Sequence, residues 1–331
     1  MNRLKYVFLS FVICMGLAAC SSEDKIGSPL EILPDYELPQ KGASDAVNQT
    51  IQNWYDKYGS YFIYEIKSND VFWKQIAGNA NALGNYHVVA GDPKNMEAML
   101  QYLHDIWLQY FPDNFLKNGG IPYRVYMVDS LYLVRDFSSG GVVDIRKYPY
   151  NYQLNGNSII IAGLNDVPTM NDYTKSQRKT ELITALWQDC ITRGLLNRPQ
   201  EFFDVTDYAT KPAMTYDPSR YSYVYTDDDL VALRNRGFIP KWSQYGYTVY
   251  SEIFMKYNEA SDTWTDYSTQ RINTALVMNN DYNYYMSQIF NAKEGEVEAF
   301  MQYPLVKRKW EILINYYKNN YGIDIRGFHT E

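Results

Sequence analysis

The stretch Thr180 to Phe203, TELITALWQDCITRGLLNRPQEFF, constrains the fold more than any other part of this chain. Leu182, Leu186 and Cys190 fall at i, i+4 and i+8, a spacing that puts all three on one apolar face of a helix. Pro199 then marks a turn, because proline suits a helix start and breaks a helix interior. An apolar helix face has to be covered, so the elements on either side must be built against it.

Those elements can be read in order. Val47, Ile51, Trp54, Tyr55 and Tyr58 recur at helical spacing between Ser44, a ready N-cap, and Gly59, a ready stop. Tyr61 to Ile66 reads as a strand and Asn79 to Gly84 as a loop. Asp92-Pro93 opens a long helix whose face carries Met96, Met99, Leu100, Leu103, Ile106, Trp107 and Tyr110, ending before Pro112. From Pro122 to Leu164 the period shifts to that of strands, with turns at Gly140-Gly141 and Asn155-Gly156-Asn157. The opening helix then spans Asn171 to Asn197. Beyond it the chain reads as mainly helical: a helix capped by Asp227-Asp228-Asp229 and stopped at Gly237, one near Tyr247 to Tyr257, segments between Asp281 and Tyr303, and a last one from Pro304 to Asn320 before Gly322. The fold class is therefore α+β, with a small N-terminal sheet and a helical C-terminal half.

The first residues carry an address. Arg3 and Lys5 precede an apolar run from Tyr6 to Leu17, and Leu17-Ala18-Ala19-Cys20 closes it as a lipobox. Small residues admit the peptidase and the Cys20 thiol takes the lipid, so residues 1–19 read as a signal peptide and 20–43 as a lipidated cysteine with a flexible tether. An ordinary signal peptide with an incidental Cys20 is the competing reading. Residues 44–331 form a single domain, since 46% hydrophobic content supplies a sizeable core. The lipid bilayer, reached through Cys20, is the first expected partner, and Ser21-Ser22-Glu23-Asp24 resembles the surface-export signal of some outer-membrane lipoproteins. Once Cys14 leaves and Cys20 is acylated, Cys190 has no internal partner and reads as a small buried hydrophobe. Net charge is −7, and it becomes more negative when Arg3 and Lys5 are removed, which argues against nucleic acid as a partner. Tyrosine is abundant at 33 residues; its rings suit sugar or peptide surfaces, and equally suit half-buried positions with the hydroxyl in water.

Catalytic inventories are poor. His87, His104 and His329 stand at no spacing that faces two imidazoles toward one ion, and no nucleophile elbow, phosphate loop, dinucleotide fingerprint or C-x-x-C is present. The run Asp227 to Asp229 lacks the spacing of a calcium loop and suits helix capping.

Three segments nevertheless fall in a familiar order: Pro199-Gln200-Glu201-Phe202 with Val205-Thr206, then Gly237-Phe238-Ile239, then Lys309-Trp310-Glu311-Ile312 through Tyr316-Tyr317 to Tyr321-Gly322-Ile323-Asp324. In these, and in the lipobox, the chain resembles the substrate import-associated zinc metallohydrolase lipoproteins. The resemblance implies a zincin-like metallopeptidase fold, and as partners an outer-membrane transporter with its substrate-binding lipoprotein and a peptide or glycan ligand. It also implies zinc held by an H-E-x-x-H helix, in which two imidazoles bind the ion and the glutamate acts as general base. Counting back from Pro199 places Leu186, Trp187 and Cys190 at those three positions; a shift of one gives Trp187, Gln188 and Ile191. Neither register restores an imidazole or a base, so no cofactor is expected, and Glu252 is left as a remnant metal candidate. The expectation is an outer-membrane lipoprotein without catalysis that binds a substrate or partner. A hydrolase rebuilt around Asp189, Glu181 or Glu252 and a structural subunit of the import complex are the alternatives. Cys20→Ser is expected to move the protein from the membrane to the soluble fraction on cell fractionation; retention in the membrane fraction contradicts lipidation at Cys20.

Overall fold

The computed structural model describes residues 35–66, 85–210, 215–217, 222–243, 246–248, 257–258, 263–264, 274–291 and 294–328. Cys20, the 79–84 loop and His329 lie outside these residues. Residues Pro39–Glu331 form one compact unit.

The unit is locked at its start by a side chain that composition assigns to the tether. Gln40 is 6% exposed. Its Nε2 donates to the Phe62 carbonyl at 2.7 Å, while its Oε1 accepts from the Tyr64 and Glu65 amides at 2.9 and 3.0 Å. Helix α1, Asp45–Tyr58, follows with the expected ends: Ser44 accepts from the Val47 amide, and Gly59 turns left-handed at φ 71°. Strand β1 is shorter than its apolar run, Tyr61–Ile63 rather than Tyr61 to Ile66, because Gln40 takes the next two amides that a longer strand would offer to a neighbour.

Two sheets replace the single one expected. β3, Arg124–Met127, lies parallel to β1 and to β7, Ser158–Ile161, and β6, Tyr152–Asn155, runs antiparallel along the edge, giving the order β1-β3-β7-β6. β7 is buried at every position, as a strand covered on both faces must be. The second sheet is antiparallel, with β4, Ser130–Asp136, between β2, Asn85–Val89, and β5, Ile145–Tyr150. Gly140 and Gly141, at φ 60° and 82°, make the tight turn that joins β4 to β5. That hairpin carries Phe137, Val142, Val143 and Ile145 in solvent.

Helices cover the mixed sheet and then pack on one another. α2, Met96–Ile106, is entered through the Asp92-Pro93 turn and buries Met96, Met99, Leu100, Leu103 and Ile106. α3, Asp172–Thr192, is capped by Asn171 and buries Leu182, Ile183, Leu186, Trp187 and Cys190. It stops five residues before Asn197, where Gly194 adopts φ 74° and the Leu195 and Leu196 amides both return to the Cys190 carbonyl. A short α4, Gln200–Asp204, starts at Pro199. α5, Asp227–Asn235, is capped by Thr226 rather than by the aspartate run; Thr226 and Asp229 form a reciprocal capping box. α6, Thr274–Asn291, begins seven residues before Asp281, and α7, Glu294–Met301, leads into α8, Pro304–Tyr321, which ends at Gly322 as its sequence predicts.

The helix expected near Tyr247 to Tyr257 is corrected at both ends. Gly246–Thr248 pairs as a strand with Lys241–Ser243, and Tyr257–Asn258 pairs with Thr263–Trp264, while 249–256 lies outside the described residues. Aromatic and β-branched residues suit these pairings better than helical spacing suits them. Among the described residues, no helix is long and apolar enough to cross a membrane. Gln40→Ala would leave one carbonyl and two amides short of their partner, so a loss of about 1–3 kcal/mol is expected in urea unfolding; an unchanged midpoint contradicts the lock.

Candidate functional site

The face of α3 that the resemblance marks for catalysis points into the core. Leu186, Trp187 and Cys190 are 1%, 3% and 2% exposed. Trp187 stacks edge-to-face on Tyr317 of α8 at 4.6 Å and on Phe290 of α6 at 5.6 Å. Its indole N–H donates to the Tyr282 hydroxyl at 3.0 Å. The Tyr282 and Tyr317 hydroxyls are 2.5 Å apart, and Tyr317 donates onward to the Asn197 carbonyl at 3.0 Å. An indole can only donate and a carbonyl can only accept, so the hydrogens of this chain run in one direction, from Trp187 through Tyr282 and Tyr317 to Asn197. Burial pushes the Tyr282 hydroxyl up to about 12 and raises Tyr317 further, so both stay protonated.

A zinc ion does not fit these residues. Leu186 and Trp187 offer no lone pair to a cation, and burial pushes the Cys190 thiol up to about 11, away from the thiolate that metals need. Ile191, Gln188 and Trp187 in the alternative register supply no imidazole either. Among the described residues no three His, Cys, Asp or Glu side chains gather to hold a metal. His87 is exposed on β2, stacked on Tyr132 at 5.4 Å, whereas His104 is exposed on α2 beside Asp105 at 3.2 Å. Glu252 lies outside the described residues.

The other carboxylates considered for a rebuilt site are not brought together. Asp189 is held by Arg193 at 2.6 Å, and Glu181 accepts from Asn151 at 2.7 Å. Eight residues of helix separate them by roughly 12 Å along the axis. A small pocket does open beside Glu181, between α2, α3 and the β6 edge, lined by Tyr102, Asn151, Tyr152, Arg178 and Leu182. Arg178 reaches through it to the Ala162 carbonyl at 3.1 Å.

A second cluster escaped the sequence reading altogether. Lys309 of α8 and Asp281 of α6 are 0% and 2% exposed and touch directly. Tyr208 donates to the same Asp281 oxygen at 2.5 Å, and Lys309 donates to Tyr208 at 3.1 Å and to the Thr206 hydroxyl at 3.2 Å. The ammonium also stands 4.2 Å over the Phe202 ring, 4.9 Å over Tyr285 and 5.4 Å over Phe238. The three segments that carry the sequence resemblance thus converge here: Phe202 and Thr206 from the first, Phe238 from the second and Lys309 from the third. A usable signal exists in the spacing. Val306, Lys309, Trp310, Leu313 and Tyr317 form one buried stripe, and so do Val277, Asp281, Tyr285 and Ile289, so each charge occupies an apolar position of its helix.

With Cys14 and Cys20 replaced by serine, Cys190 is expected to resist a disulfide reagent at about pH 8 in the folded chain and to react at once in denaturant. Rapid reaction in the folded chain contradicts the packing of this face.

No protein-family model and no curated protein matches the chain. One solved structure, a putative zinc-binding metallo-peptidase from Bacteroides caccae, is similar at 12% identity over 86% of this chain and 90% of that one, with a TM-score of 0.38. The α+β class assigned here rests on the elements themselves.

Proposed function

We propose that this chain is a lipid-anchored outer-membrane protein with a zincin-like frame that binds a substrate or partner in a nutrient-import complex and does not hydrolyse it. The observation that carries the non-catalytic part is the direction of Trp187. A general base must face a substrate and a water, and this side chain instead spends its one polar atom on Tyr282 inside the core. Leu186 and Cys190 flank it as packing residues. The role left to such a frame is recognition, with a peptide or glycan as ligand and the transporter or its substrate-binding lipoprotein as neighbour.

Two surfaces favour recognition. β6 is the edge strand of the mixed sheet, a place where an extended ligand can add as a further strand. The β4-β5 hairpin presents Val142 at 69% and Val143 at 78% exposure, and this apolar tip favours the second reading, a structural subunit that docks on other components.

The purified chain is expected to contain no stoichiometric zinc and to leave a peptide library uncut. Zinc at one per chain, or turnover abolished by a chelator, overturns the non-catalytic reading and favours a rebuilt site. Saturable binding of a peptide or glycan favours the binding protein, while co-purification with a transporter in the absence of ligand favours the structural subunit.

A further inference from the structure

The pair formed by Asp281 and Lys309 has no place in the function proposed above, yet its surroundings are unusual for a structural ion pair. Both groups are held in an interior of aromatic rings, where desolvation penalises the charged form of each. Opposing helices bring the groups together from 28 positions apart in sequence, α6 supplying the acid and α8 the amine. Among the described residues, the Lys309 ammonium donates to Asp281, Tyr208 and Thr206 and stands over the rings of Phe202, Phe238 and Tyr285.

We infer that Asp281 and Lys309 are the site of an intramolecular amide cross-link, in which the Lys309 Nζ becomes bonded to the Asp281 Cγ and α6 is tied covalently to α8. The reacting forms are the neutral amine and the neutral carboxylic acid. Burial favours both, raising the Asp281 carboxyl and lowering the Lys309 ammonium against the opposing pull of each on the other. The amine already touches one carboxyl oxygen, so the carbon it must attack is one bond further on.

The step balances without an oxidant, a reductant or a further reactant. Nζ forms a bond to Cγ, the Cγ–Oδ2 bond breaks, and Oδ2 leaves as water. One proton of that water is the acid's own, and the other comes from the amine. Tyr208 supplies the route for the second, because its hydroxyl accepts from Nζ and donates to Oδ2. It passes one proton on as it takes one up and ends unchanged. Burial and the Asp281 charge hold the Tyr208 hydroxyl far above its ordinary range, so it acts as a relay and does not ionise. Thr206 accepts from Nζ and also donates to the Arg236 carbonyl at 3.0 Å, which fixes the amine's direction. Once the amide has formed, neither charge remains in the core.

The test is made on the whole purified chain, denatured and digested with trypsin. The sequence puts Asp281 in the peptide Ile272–Lys293 and Lys309 at the head of Lys309–Lys318. The expected product is these two joined, lighter than their sum by one water, with no cleavage after Lys309. Recovery of Ile272–Lys293 at its own mass, together with cleavage after Lys309, from chain that was folded before denaturation overturns the link. Tyr208→Phe removes the relay and keeps the pair, so the joined fraction is expected to fall severalfold in protein of unchanged circular dichroism. A joined fraction equal to the parent's overturns the role given to Tyr208.

Discussion

Trp187 cannot leave its indole N–H unpaired inside the core, and the run from Trp187 through Tyr282 and Tyr317 to the Asn197 carbonyl meets that demand. In doing so it joins α3, α6, α8 and the loop after α3. Each hydroxyl accepts from the group before it and donates to the one after, so removal of any member strands a neighbour at a cost of about 1–3 kcal/mol. The aromatic faces add a second constraint, because Trp187 packs edge-to-face on Tyr317, Phe290 and Phe328 at once. Rings held from three sides leave no free face toward a cleft.

The Asp281 and Lys309 cluster organises a neighbouring part of the same core. It joins α6 and α8 to the α4 region and to the turn after α5, where Tyr285 donates to the Gly237 carbonyl at 2.8 Å and Gly237 sits at φ 87°. A Cβ there would lie 2.8 Å from the Thr206 hydroxyl, which explains why the turn carries glycine. A charged pair so deep is a costly way to gain stability, and hydrophobic residues of the same volume would serve at least as well. Its presence is easier to understand if the pair has chemistry to perform.

Much of the frame is legible in the sequence because it follows from local rules. Ser44, Gly59, Asn171, Pro304 and Gly322 mark helix ends whose caps need only neighbouring residues. The spacing of Leu182, Leu186 and Cys190 marks the buried face of α3 with no knowledge of what covers it. Long-range pairing is less legible. Nothing near Tyr61 announces that Gln40 will take the next two amides and end the strand, and nothing near Tyr247 outweighs a helical spacing that its strand partner overrides. The Asp281 and Lys309 contact lies between these cases. The stripes of both helices mark the two positions as buried, but charge alone suggests solvent, and only the fold brings one to the other.

The central claim is that α3 serves as a core strut in place of a catalytic wall. It is tested most directly by writing the missing motif back in, with Leu186→His, Trp187→Glu and Cys190→His together, and measuring thermal unfolding and zinc content. Truncating a buried tryptophan costs about 3–5 kcal/mol. Burying a carboxylate in its place, with Tyr282 left short of a donor, adds to that loss. The account predicts a chain that is unfolded or severely destabilised and takes up no stoichiometric zinc. A variant as stable as its parent that binds one zinc per chain would contradict it.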